Sequence, residues 1–160
     1  MKKIQSVLVS AALAIGMATP ASAGVNDPEV LIYRFPGVTD SGAGIVVPQV
    51  ATAFHCTNFS GATETIRFVT RNFNTGIANN STVPIDHLAT VTAATHCILA
   101  YNIQLNMTAG VVNQGTTAIA ATSINIICTA ETVFDATTTA PHGVVARRGI
   151  RFNPVPGSQE

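Results

Sequence analysis

The stretch Glu64-Thr65-Ile66-Arg67-Phe68-Val69-Thr70-Arg71-Asn72-Phe73 decides the fold class. Ile66 and Phe68 fall on one side and Arg67 and Arg71 on the other, the two-residue period of a pleated strand with one buried face. Phe68 is therefore expected in a core. Arg67 and Arg71 are expected in solvent, with acids such as Glu64, Glu131 or Asp135 as cross-strand partners.

Working outward, the same kind of segment recurs. Val30-Leu31-Ile32-Tyr33-Arg34-Phe35 predicts a first strand, closed by Pro36-Gly37. Ile45 to Val47 and Val50 to Phe59 follow, separated by Pro48. In the second of these, Val50, Thr52, Phe54 and Cys56 share one face, so Cys56 points inward with Phe54. Asn74-Thr75-Gly76 reads as a turn and Asn79-Asn80-Ser81 as a loop. His87 to Thr92 is a weaker strand, and the alternation from Cys97 to Met107 predicts a long one that ends at Gly110. Thr116 to Thr122, Ile124 to Phe134 and Val144 to Phe152 complete the series. Short strands at regular spacing without crossover helices predict an all-β chain: a single antiparallel β-sandwich of immunoglobulin-like type, with a closed barrel as the alternative.

Residues 1–23 read as an address. Lys2 and Lys3 precede an apolar run from Val7 to Met17, and Ala21-Ser22-Ala23 supplies a small-residue cleavage site, so a cleaved signal peptide is expected with the domain spanning 24–160. The run is shorter than the roughly 20 residues needed to span a bilayer, which argues against stable membrane insertion. A periplasmic or extracellular location follows as the expectation. Both lysines of the chain lie in this leader. Residues 24–160 carry six arginines against eight acids, a net charge of −2. That balance disfavours nucleic acid and anionic lipid as partners.

Cys56, Cys97 and Cys128 allow at most one internal bridge. Cys56 and Cys128 each lie inside a strand on its apolar face and each is followed by Thr, so they are the expected pair, in keeping with an oxidising compartment. His55 adjoins Cys56 and His96 adjoins Cys97, which invites a metal or redox reading. Adjacent strand residues point to opposite faces, however, and the expectation is that no metal is bound and that these histidines are surface or strand-end polar groups.

No Gly-x-Ser-x-Gly elbow, His-Glu-x-x-His pair or phosphate loop occurs, so neither catalytic residues nor a cofactor are assigned. Asp86-His87 is the nearest approach to a triad fragment. Arg147, Arg148 and Arg151 form a candidate anion patch. Asn58, Asn80 and Asn106 head glycosylation sequons, which a bacterial leader leaves unused. In size, richness in Thr, Asn and Ala, and sparse cysteine, the chain resembles small exported bacterial β-sandwich proteins, including pilin-like and adhesin-like subunits. The expected role is a non-enzymatic binding or structural module with a protein or carbohydrate partner. A polymerising surface subunit and a small metal-binding or redox protein are the alternatives.

Overall fold

Branched and aromatic residues set against Thr and Asn favour extended backbone nearly throughout. A computed structural model of the chain describes residues 29–42, 49–134, 136 and 143–152. The described residues form β1 (Val30–Ser41), β2 (Val50–Asn58), β3 (Glu64–Arg71), β4 (Ile77–Ile85), β5 (Thr90–Ala94), β6 (Leu105–Asn106), β7 (Val111–Ala121), β8 (Ile126–Phe134), β9 (Val144–Arg147) and β10 (Ile150–Arg151). They make two five-stranded sheets, ordered β10-β1-β7-β3-β4 and β6-β5-β2-β8-β9. Every pairing is antiparallel except the short one between β5 and β6. The architecture is all-β and consistent with a β-sandwich. Residues 1–23 and the expected strand at Ile45 to Val47 lie outside the described residues.

An aromatic chain joins the two sheets. Phe35 on β1 meets Phe54 on β2 edge to face at 5.5 Å between ring centroids, and Phe54 meets Phe68 on β3 at 5.8 Å. Phe35, Phe54 and Phe68 are all fully buried. The expected inward face of β3 is thus the observed one. Cys56 and Cys128 are directly opposed in the β2–β8 register and form a disulfide, with Cα atoms 4.1 Å apart. The bridge staples two neighbouring strands of one sheet.

β1 does not stop at Pro36-Gly37. It runs on to Ser41 with three shifts of register against its partner β7, two of them bulges that add one residue on β1, at Ile32 and at Gly37, and the third between Val38 and Asp40. Each extra residue flips the inward phase, so Ile32, then Tyr33 and Phe35, then Val38 and Asp40 all face the core. Gly37 has φ of 75°, a left-handed conformation that favours glycine at such a bulge. A strand whose period is reset twice shows no clean alternation in sequence.

Three further expectations are corrected. The long strand predicted from Cys97 to Met107 is an irregular segment that pairs only at β6. Its apolar residues serve two cores: Met107 joins the main one, while Ile98, Tyr101 and Ile103 fold over the outer face of β2 and β8 against Ala51, Ala53 and Val133. The loop expected at Asn79-Asn80-Ser81 is the middle of β4, an edge position where polar side chains can remain in water. The final strand is split into β9 and β10 by a corner at Arg148-Gly149, where any side chain at Gly149 would run into the Phe35 ring.

Candidate functional site

Among the described residues, a linked set of buried polar groups lies at the end of the sandwich where β1 finishes and β5 gives way to the irregular segment. Thr39 and Thr52 clasp β1 to β2: the Thr39 N–H donates to Thr52 Oγ1 at 3.1 Å and that hydroxyl donates to the Thr39 carbonyl at 2.9 Å. The Thr52 N–H donates to Thr95 Oγ1 at 3.0 Å, which draws in the residue after β5. Asp40 and His96, next along each chain, then meet. His96 Nδ1 lies 2.7 Å from Asp40 Oδ1, with both side chains buried. The Gly42 N–H also donates to Asp40 Oδ1, closing an Asx turn. Asp40 Oδ2 and His96 Nε2 are buried without a hydrogen-bond partner.

This clamp stands between two clefts. One, of about 280 Å³, is lined by Gln49, His96, Cys97, Leu99, Asn106, Thr108 and Gly110. The other, of about 330 Å³, has Asp40 and Arg147 among its walls, with Ser41, Asn113 and Phe134. Both mix amide and hydroxyl groups with an apolar wall, and both are near the lower limit of size for ligand pockets. Cys97 is a free, exposed thiol at the rim of the first.

His96, expected as a surface or strand-end polar group, does lie just past the end of β5 but is buried, because it follows β5 into the junction between the sheets. Asp40 carries no motif, and its pairing with His96 spans 56 positions; the local signal was only Asp40-Ser41-Gly42 as a turn. His55 does lie on the outer face of its strand, as expected. Its Nε2 is 3.3 Å from Glu131 Oε1 and its Nδ1 is 3.1 Å from Thr92 Oγ1. The Tyr101 hydroxyl donates to the same Glu131 oxygen. Burial, and then the Glu131 carboxylate, push the Tyr101 phenol up to about 12.

The three arginines of the candidate anion patch are placed on the strap that crosses from one sheet to the other. Arg147 donates through Nε to the buried Thr132 hydroxyl at 2.7 Å, and Arg151 donates to the Ile124 carbonyl at 2.8 Å while its guanidinium lies 5.8 Å from the Tyr33 ring centre. Arg148 is exposed at the corner between them. Arg67 is half-buried rather than free in solvent, and its partner is Glu29, at 2.5 Å, rather than Glu64 or Glu131; Asp135 lies outside the described residues. Asp86 and His87 cap loops: Asp86 accepts from the Thr63 hydroxyl at 2.8 Å and His87 Nδ1 accepts from the Gly61 N–H at 3.1 Å. Asn58 is fully buried, holding the Ala62 and Ile85 carbonyls, which leaves its sequon inaccessible.

Among the described residues, no group of three or more His, Cys, Asp or Glu side chains is placed to hold a metal ion. No helix there is long and apolar enough to cross a membrane. Compared with known proteins, the chain matches no family model and no curated protein.

Proposed function

We propose that this chain is an exported, non-enzymatic module of the periplasm or cell surface that binds a small neutral polar ligand of the carbohydrate class. In this reading residues 1–23 are a cleaved signal peptide and residues 24–160 are one immunoglobulin-like domain. The observation that carries it is the pair of clefts flanking the Asp40–His96 clamp, whose walls offer the amide and hydroxyl groups of Asn106, Thr108, Ser41 and Asn113 beside Leu99 and Phe134. Sugars are bound by that combination of hydrogen-bonding groups and apolar surface. The Cys56–Cys128 disulfide supports an oxidising compartment.

Support for the immunoglobulin-like type comes from connectivity. β1 and β7 are neighbours in one sheet, β2 and β8 in the other, and the chain crosses between sheets at both β1 to β2 and β7 to β8. The chain departs from antibody domains in having no Trp and in placing its bridge within one sheet instead of between two.

Two measurements test the reading. Intact mass of exported protein should begin at Gly24, and retained Met1 overturns the exported part. Titrating ¹⁵N-labelled protein with a panel of neutral mono- and disaccharides should move the amides of Asn106, Thr108 and Asn113. Shifts confined to the opposite end of the sandwich, or no shift at millimolar sugar, overturn the binding part.

A further inference from the structure

The four edges of the two sheets are not alike. β6 and β10 have two residues each and β9 has four, whereas β4 has nine. An edge strand presents unpaired N–H and C=O groups to any other strand, and natural edges are kept short, charged or interrupted for that reason. Arg147 and Arg151 guard β9 and β10. β4, Ile77-Ala78-Asn79-Asn80-Ser81-Thr82-Val83-Pro84-Ile85, contains no charge at all.

Its two interruptions lie near its ends. The pairing with β3 skips Ala78, a bulge, and Pro84 removes a donor near the far end. Proline sits in a ladder only with its nitrogen turned away from the neighbouring strand. With a period of two, Asn80 and Thr82 then turn their N–H and C=O groups outward as well. Their side chains are exposed, and among the described residues no backbone hydrogen bond outside the strand ladders involves residues 78–84. The open window is Asn79–Val83, and its centre is Ser81.

We infer that β4 is a self-pairing edge, joining two copies of this chain antiparallel about a two-fold axis through Ser81. A window framed symmetrically is complementary to itself. Asn80 of one copy exchanges both main-chain bonds with the partner's Thr82, and the partner's Asn80 does the same with Thr82. Half-buried Val83, which packs at the margin of the main core, comes to lie opposite the partner's Asn79 on the same face. No like charges oppose each other, because the strand carries none. The contact is isologous, so it closes as a dimer and does not propagate as a filament. A short window makes that dimer weak and dependent on concentration. This inference does not depend on export or on sugar binding.

The test is sedimentation equilibrium of the purified protein from micromolar to millimolar, with amide exchange followed by NMR. The parent should shift from monomer to dimer across that range, with exchange at Asn80 and Thr82 slowing at least tenfold in the dimer. Thr82→Pro removes an outward donor and should remain monomeric throughout. Should that variant lose its near-ultraviolet circular dichroism, Asn80→Lys with Thr82→Lys, which sets lysine against lysine across the axis at exposed positions, replaces it and should also stay monomeric. A parent that is monomeric at millimolar concentration, or a dimer that persists in the folded variants, overturns the inference.

Discussion

His55-Cys56 and His96-Cys97 are the same dipeptide in two settings, and the fold treats them in opposite ways. In β2 the pleat sends Cys56 into the core and His55 to the outer face, where it pairs with Glu131. After β5 the chain leaves the ladder, so the pleat no longer dictates sides. There the histidine is the buried member, held against Asp40, and the cysteine is the exposed one. Inside a strand, sequence position assigns each side chain its face; outside one, the neighbouring segments do.

The largest test of this contrast removes each histidine. His96→Ala should cost about 3 to 5 kcal/mol, since it leaves the Asp40 carboxylate buried without its partner. His55→Ala should cost no more than about 1 kcal/mol, the range for a half-exposed pair. Urea denaturation of both variants measures the difference. Equal losses would mean that the Asp40–His96 junction does not hold the sheets together.

Removing each cysteine sharpens the comparison from the other side. Cys56→Ala combined with Cys128→Ala opens a link between positions 72 residues apart and should lower stability by about 4 kcal/mol in the chain-entropy model. Cys97→Ser should leave stability within about 0.5 kcal/mol, as for other exposed positions. Non-reducing peptide mapping should find Cys97 alone alkylated. Its appearance in the disulfide would separate β2 from β8 and undo the register.

The parts of this fold that were legible in sequence are those where one period runs unbroken. β3 and β2 keep their alternation, and Phe68, Phe54 and Cys56 face inward as that alternation requires. The Cys56–Cys128 pairing followed because both strands are regular. β1 was misjudged where Gly37 resets its phase, and the segment after Cys97 because alternate apolar residues there fill two separate cores instead of one face. Val69 is also buried, although it lies on the face of half-buried Arg67 and not on that of Phe68. The clamp was not legible at all. Asp40 and His96 are each ordinary polar residues until the two sheets bring them within 2.7 Å.

The smallest expected effect concerns the shelf that His55 shares with Tyr101 and Glu131. The Tyr101 phenol is raised to about 12 from an ordinary 10.0, first by burial and then by the Glu131 carboxylate that accepts its hydrogen bond. A folded-state value above the unfolded one means that the native state holds the proton more tightly. The resulting stabilisation is complete below pH 10 and is lost as pH rises through about 12. Tyr101→Phe should flatten that alkaline decline. It should also release the irregular segment from the outer face of β2, since the hydroxyl is its polar anchor to β8. Ultraviolet titration at the phenolate band should show one tyrosine ionising near pH 12 in the parent and not in the variant. Ionisation of that tyrosine near its ordinary value would place Tyr101 in solvent and strip the His55 side of its cover, leaving the two histidines more unlike than the structure makes them.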